Sequence, residues 1–176
     1  LTKMRWQPSL QIISHYESEP IYIDALVKSI NKKISELNWK PDLIVASYHG
    51  IPKKYFDKGD PYHCYCQKTS RLIIEKFNKI PIQTTFQSRF GPQEWLQPYT
   101  DKTLENLPKE GKKNILVVCP GFSSDCVETL EEIAIQGKNS FFKNGGKNFD
   151  IVPCLNDDEE HINLLKHLVD RYNLKK

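Results

Sequence analysis

The chain has 176 residues, of which 39% are hydrophobic and 27% charged, a composition typical of one globular domain and not of a disordered chain. Its 25 Lys and Arg residues barely exceed its 22 Asp and Glu residues and are scattered, which argues against a nucleic-acid-binding protein. The sequence lacks both an apolar run of the roughly 18 residues that a membrane span needs and an N-terminal signal pattern, so we expect a soluble, cytoplasmic protein.

Cysteine usage favours reduced thiols over disulfides. The chain has five cysteines, an odd number, and no C-x-x-C pair. Cys64 and Cys66 lie beside His63 and could hold a soft metal or a cluster, but no second ligand pair follows at a useful spacing. We therefore predict structural cysteines and no tightly bound cofactor.

The first residues have the character of a connector. The chain opens on Leu1 instead of an initiator methionine, and 1–17 offer only a short apolar alternation. We expect 1–17 to lead into this domain from a preceding part of a longer protein. Ser18 then predicts the N-cap of a helix that has Pro20 in its first turn and apolar side chains at helical spacing up to Leu37.

Four apolar segments predict strands that alternate with helical patterns. The strands are expected at 43–47, 82–86, 114–118 and 149–152. The helices are expected from Pro61 with Asp60 as cap, near 101–107, from Ser123 or Ser124 to about Phe142, and from Asp157. The third strand is apolar throughout, which indicates burial on both faces. The alternation predicts a single α/β domain over 1–176, an open parallel sheet of about four strands, Rossmann-like and flanked by helices.

The first predicted strand ends at His49, just before a Gly-Ile-Pro turn. Ligands of open α/β sheets bind in the crevice at the carboxyl ends of the strands, so this imidazole is a candidate site residue. The alternative is a histidine that caps the turn by bonding to the backbone. After the second strand, Trp95 lies in a polar loop with several prolines. Its indole can stack on a flat ligand or fasten the loop to the core.

The helix predicted after the third strand carries an acidic stripe. At 100° per residue, Asp125, Glu128 and Glu132 share one face. Apolar residues centre the opposite face, namely Val127, Leu130 and Ala134. Carboxylates four residues apart cost about 0.2–0.5 kcal/mol. The stripe is either a solvated helix face or a row of carboxylates that leads a cation to His49.

Three of these loops together resemble the ferrochelatase family, in a form similar to its proteobacterial members. The matching segments are 47–52 (Ser-Tyr-His-Gly-Ile-Pro), 59–62 (Gly-Asp-Pro-Tyr), 87–92 (Gln-Ser-Arg-Phe-Gly-Pro), parts of 95–101, 120–132 and 155–156. Their order and spacing match over most of the chain, which is more specific than any single motif. The resemblance covers only the second of the two similar α/β halves of a ferrochelatase.

The resemblance implies insertion of ferrous iron into protoporphyrin IX, which forms protohaem in the last step of haem biosynthesis. It implies that His49 and Glu128 form a catalytic and metal-binding pair across a cleft. Asp125 and Glu132 would be the next carboxylates of a metal path. The residues implied to lie at the porphyrin are Ser47, Tyr48 and Trp95.

The chemistry fits these residue types. Metal insertion exchanges pyrrole N–H protons for Fe²⁺, so the site needs a base, weak metal contacts and walls that clamp a flat ring. Imidazole can serve as base or ligand, and a facing carboxylate can relay protons or remove water from the cation. The sequence leaves open which of His49 and Glu128 performs which role.

The chain also departs from the family pattern. Cys126 stands where some relatives have a histidine, and Gln136 stands where a third acid would extend the carboxylate row, so we expect a shorter metal path. Relatives with an iron–sulfur cluster use a cysteine-rich C-terminal tail, which the end at 174–176 lacks, so we predict no cluster. We expect 1–176 to be a fragment or one member of a split pair, inefficient in metal insertion without the first half.

The expected partners are protoporphyrin IX, ferrous iron and the missing N-terminal half, with peripheral contact to the inner membrane and none to nucleic acid. One alternative is a chelatase for another tetrapyrrole, such as coproporphyrin or a corrinoid precursor. A second is a non-catalytic half-domain that binds porphyrin, haem or metal. A nucleotide-binding domain is the weakest alternative, because no G-x-G-x-x-G follows a strand.

Overall fold

The computed structural model describes residues 3–6 and 10–173 and places a four-stranded parallel sheet at their centre. The strands are β1 (Leu43–His49), β2 (Ile82–Gln87), β3 (Asn114–Val118) and β4 (Asn148–Ile151). Their order across the sheet is β2-β1-β3-β4, and every pair is parallel. The predicted α/β fold with four parallel strands is confirmed, and all four carboxyl ends lie at one edge.

Six α-helices and one π-helix connect and cover these strands in the described part of the chain. The α-helices are α1 (Pro20–Glu36), α2 (Lys53–Asp57), α3 (Tyr62–Lys76), α4 (Thr100–Asn106), α5 (Lys138–Lys143) and α6 (Glu159–Asn173). The π-helix (Glu128–Gly137) leads directly into α5. Helix α2 was not predicted, because its five residues bury none of their side chains and so have no apolar pattern. In the described residues, no helix is both long and apolar enough to cross a bilayer.

The sheet is buried on both faces, as predicted from its apolar third strand. Side chains alternate along each strand, so Leu116 packs with α1, α3 and α6 while its neighbour Val117 packs with α4, α5 and the π-helix. Both side chains are fully buried. The two hydrophobic clusters fix the helical layers and hold the sheet edge in place between them.

The predicted helix starts are partly wrong. Ser18 does not cap α1, because its hydroxyl bonds to Glu17 and the helix begins at Pro20 with no side-chain cap. Asp60 accepts a hydrogen bond from the amide of Tyr62 at 2.9 Å in the turn before α3, but the N-cap residue of that helix is Pro61, not Asp60. Neither Ser123 nor Ser124 caps the next helix, and α6 begins at Glu159, two residues after the predicted Asp157.

The expectation of an α-helix after β3 is wrong over 128–137. Hydrogen bonds from residue i to i+5 widen the turns of a π-helix, so residues four apart lie close to one line. The buried side of this helix is accordingly formed by residues at a spacing of four, Thr129, Ile133 and Gly137. Val127 and Leu130, which were predicted to centre the helix face opposite the acids, are 68% and 54% exposed. Glu128 and Glu132 are also four residues apart, and they lie next to this line of buried residues.

A matched pair of leucines tests this arrangement. Leu116→Ala removes a fully buried side chain, so we expect the free energy of unfolding to fall by about 2–5 kcal/mol. Leu165→Ala makes the same chemical change at a side chain of α6 that is 41% exposed, and should lower the free energy of unfolding by about 0.5 kcal/mol. Urea denaturation of both variants measures the difference. Equal losses would contradict the placement of the core.

Candidate active site

His49 is the last residue of β1 and is half-buried at the carboxyl edge of the sheet. Its Nδ1 lies 2.6 Å from the carbonyl oxygen of Gly50. A carbonyl can only accept, so Nδ1 is the nitrogen that donates its N–H here, and Nε2 is the one that can offer a lone pair when the ring is neutral. No other described residue bonds to Nε2. The turn-capping contact considered from the sequence is therefore present, and it prepares Nε2 to accept a proton or bind a metal.

The main chain of His49 is also held from the neighbouring helix. The hydroxyl of Tyr62, at the start of α3, donates to the carbonyl oxygen of His49 at 2.8 Å. Burial raises the pKa of this tyrosine far above its usual range, so the hydroxyl remains a donor. The ring of Phe122 lies 6.3 Å from the imidazole, between centroids. These contacts fix both the backbone and the surroundings of the imidazole.

Glu128 begins the π-helix beside this imidazole. Hydrogen bonds from the Cys126 thiol and from its own backbone amide lower the pKa of Glu128, and His49 lowers it further when its imidazole is protonated. The carboxyl group is therefore ionised at neutral pH. The main-chain carbonyl oxygen of Glu128 accepts a hydrogen bond from Gln87, and Gln87 is paired with His49 across β1 and β2, so the two predicted partners lie at the same sheet edge.

Gln87 connects the sheet to the π-helix. This buried residue ends β2 directly beside His49, and its Nε2 donates to the carbonyl oxygen of Glu128 at 2.8 Å. Its Oε1 accepts from the hydroxyl of Ser47 at 2.7 Å, and that hydroxyl also bonds to Thr100. Sequence reasoning did not single out Gln87, although a glutamine that ends a buried strand needs polar partners and is in that sense conspicuous.

Ser47 and Tyr48 do not have the surface that their predicted porphyrin contact requires. Ser47 is fully buried in the Gln87 network. Tyr48 is also buried, and its hydroxyl bonds to Ser70 at 2.9 Å inside the domain. Both side chains point away from solvent because alternate residues of β1 face opposite hydrophobic clusters. The structure assigns them to the support of β1.

Trp95 is fastened beside the site and remains partly exposed. Its indole N–H donates to the carbonyl oxygen of Phe90 at 2.9 Å, and its backbone forms an isolated bridge with Pro52. Its ring packs over Gly50, the residue after His49, where a side chain would have no room. The loop-fastening alternative therefore describes its contacts, and the exposed part of the ring remains available to a ligand.

Asp125 is occupied by structural hydrogen bonds. Its carboxylate accepts from Asn156 Nδ2 at 2.8 Å and from Thr129 Oγ1 at 3.0 Å. Its backbone amide donates to Asn156 Oδ1, which closes a reciprocal pair. Burial raises the pKa of Asp125, but hydrogen bonds from Asn156, Cys154 and Thr129 outweigh burial and leave it below its usual value. This carboxylate fastens the loop after β3, and its place on a metal path stays a prediction.

Glu132 lies four residues after Glu128 on the π-helix and faces a cavity of about 330 Å³. The cavity separates the π-helix from α4, and Asp101, Glu105 and Gln136 also line it. Of the three acids predicted to form a row, Glu128 and Glu132 share a line on the π-helix, whereas Asp125 precedes that helix. Within residues 3–6 and 10–173, no three His, Cys, Asp or Glu side chains form a metal-binding group.

Comparison with known proteins is consistent with an active site at the carboxyl edge of the sheet. The family model for ferrochelatase matches residues 1–173. The chain belongs to the ferrochelatase family. It is 59% identical to the ferrochelatase of Rhizobium meliloti (strain 1021) over 173 residues, which are 97% of this chain and 51% of that protein. The ferrochelatases of Rhizobium etli (strain CIAT 652) and Brucella ovis (strain ATCC 25840) are 54% and 49% identical, again over 97% of this chain and about half of theirs.

The family resemblance predicted from the loops is thus confirmed, and the chain spans about half the length of these ferrochelatases. A solved structure is also similar, that of a putative cobalamin (vitamin B12) biosynthesis CbiX protein from Marinobacter aquaeolei VT8. The similarity covers 77% of this chain and 100% of that one with a TM-score of 0.51 and 11% identity. At such low identity the comparison supports the fold of this ferrochelatase-family chain and nothing more specific.

Replacement of Asp125 tests its structural role. Since the folded state depresses the pKa of this carboxyl group, its stabilising effect is present above the ordinary value of about 3.9 and is lost as pH falls below it. We expect Asp125→Asn to lower the free energy of unfolding by about 1–3 kcal/mol at pH 7 and to have little effect near pH 3.

Urea denaturation at the two pH values measures this difference. Asp157→Asn is the control, because the exposed carboxylate of Asp157 bonds to no other described residue. A loss at pH 7 that persists unchanged at pH 3 would show that the ionised carboxylate is not the stabilising group.

Proposed function

We propose that this chain forms the iron-inserting half of a ferrochelatase, which places Fe²⁺ in protoporphyrin IX to give protohaem. The observation that carries the proposal is the placement of His49 and Glu128 at one sheet edge, where Gln87 is paired with the first and bonds to the main chain of the second, and where Nε2 of His49 bonds to no described residue. A neutral nitrogen base beside a fixed anion is the minimum that metal-for-proton exchange needs. Membership of the ferrochelatase family supports the choice of iron and porphyrin.

The two side chains divide the reaction between them in this proposal. Fe²⁺ enters the macrocycle as both pyrrole N–H protons leave, so the products are the ferrous porphyrin and two protons. His49 accepts a proton at Nε2, because Nδ1 already carries one. Glu128 is a poor base, since its pKa is lowered, and it serves instead as a contact for Fe²⁺ and as the counter-charge of the protonated imidazole.

Iron reaches this pair past Glu132 in the proposed mechanism. Glu132 lies one π-helical turn from Glu128 and lines the cavity beside α4. Single carboxylate and imidazole contacts hold a divalent cation more weakly than a closed four-ligand cage, which suits a metal that is a substrate and must move on. No iron–sulfur cluster or other bound cofactor has a role in this proposal.

The macrocycle would lie on the apolar surface that surrounds His49. Phe90 is 83% exposed, Trp95 is partly exposed, and Phe122 lies against the imidazole. Val127, next to Glu128, adds an exposed aliphatic group. We propose that the N-terminal half present in the longer relatives covers the other face of the porphyrin, and that the protein acts in the cytoplasm in peripheral contact with the inner membrane.

Replacement of His49 tests the chemistry. We expect His49→Ala to reduce anaerobic Fe²⁺ insertion by about 10²–10⁴-fold, the usual contribution of a positioned base. His167→Ala is the control, since this histidine is exposed on α6. Absorbance spectra give the insertion rate, and the porphyrin-binding shift is recorded in the same samples. Retained binding with lost insertion supports an enzyme, whereas unchanged insertion would refute the role of His49.

Replacement of Trp95 tests the position of the porphyrin. An aromatic contact contributes about 0.5–1.5 kcal/mol, so Trp95→Ala should raise the porphyrin Kd by roughly two- to twelve-fold. Trp6→Ala removes an indole that is 76% exposed outside the site and should leave the Kd unchanged. Fluorescence titration measures both. An equal effect of the two changes would place the ring elsewhere.

A further inference from the structure

Ser88 has an unusual backbone and an unusual pair of contacts. It is the first residue after β2 and has a φ of +62°, a region that residues with a side chain seldom occupy. Its backbone amide donates to Oε1 of Glu132 at 2.7 Å, and its hydroxyl donates to Oε2 at 2.6 Å. Backbone conformations of this kind persist where the surrounding structure requires them, and they concentrate at functional sites.

We propose that Ser88 is a positioning residue that holds the carboxylate of Glu132 ready to meet the incoming cation. The inference rests on the proposed function, because it assigns Glu132 a place on the route of iron. The left-handed backbone of Ser88 aims the amide and the hydroxyl at the same carboxylate, one donor for each oxygen.

The geometry leaves Glu132 able to bind. An ionised carboxylate has about four lone-pair sites, and Ser88 uses only two of them. The remaining sites are free for a cation in the cavity of about 330 Å³ that both residues line. The hydrogen bonds also restrict rotation of the Glu132 side chain. Cation binding therefore costs less conformational entropy.

The positive charge next to Ser88 is compensated. The guanidinium group of Arg89 lies 2.6 Å from a carboxylate oxygen of Asp101 and 4.3 Å from the ring centroid of Tyr99. The guanidinium group of Arg89 is therefore paired with α4 instead of with Glu132. Ser88, not the adjacent arginine, therefore supplies the hydrogen bonds that orient Glu132.

The hydrogen bonds from Ser88 to Glu132 lie at the same sheet edge as the imidazole of His49. Gln87 is paired with His49 across the two neighbouring strands, so Ser88 lies one residue beyond this pair. Gln87 holds the main chain of Glu128, and Ser88 holds the side chain of Glu132 one turn later. Two consecutive residues thereby fix two successive turns of the π-helix relative to His49.

Titration of the full chain with Mn²⁺, a paramagnetic substitute for Fe²⁺, tests the inference without reliance on catalysis. We expect Mn²⁺ to broaden the amide NMR signals of 87–89 and 131–133 first. Ser88→Ala should raise the Mn²⁺ concentration for half-broadening by roughly two- to ten-fold, the effect of leaving one long side chain unordered. Ser35→Ala, which removes an exposed hydroxyl on α1, should leave it unchanged.

Ser88→Gly separates cation positioning from a merely structural role. Glycine accepts the positive φ without strain but lacks the hydroxyl, so this variant should need as much Mn²⁺ as Ser88→Ala even if it unfolds at higher urea concentration. Wild-type Mn²⁺ sensitivity in either Ser88 variant, or no selective broadening near Glu132, would overturn the inference. If the Mn²⁺ results hold while the chain joined to an N-terminal half of a longer relative inserts no iron, Ser88 positions Glu132 and the proposed function fails.

Discussion

The buried amide of Gln87 is the contact on which the geometry of the site depends. Its donor reaches the main chain of Glu128, and its acceptor takes the hydroxyl of Ser47, so one side chain joins β1, β2 and the π-helix. A buried amide left without partners is costly, which makes this three-way junction cooperative. The relative position of the main chains of His49 and Glu128 is thus set by the interior of the domain.

Much of the fold was predictable because it follows from local apolar patterns. The strand expected at 114–118 is observed with those bounds, since a continuous apolar run between polar residues has few other interpretations. Parallel order and a common carboxyl edge follow from the alternation of strands and helices. His49 was recognisable for the same reason, as a titratable residue at the end of an apolar strand.

The details of the site were less predictable, because they depend on contacts between distant segments. Asp125 has the same chemistry as Glu132, but its partner Asn156 lies after β4, and no local pattern reveals that pairing. The π-helix is equally hidden. Its buried residues repeat at a spacing of four, and a short segment with Val127 and Leu130 also fits the ordinary helical period. Tertiary packing decides between the two periods.

The turn at Gly50 shows how packing can restrict evolution beside a reactive group. A methyl group at this position would lie 2.9 Å from the carbonyl oxygen of Gln87 and 3.3 Å from Cε3 of Trp95. Neither neighbour can retreat easily, because one is strand backbone and the other is a fastened indole. Even alanine is therefore excluded there for steric reasons. If this glycine were invariant among homologues, the reason would be its close packing against Gln87 and Trp95. Such invariance would not be evidence that the glycine takes part in the chemistry.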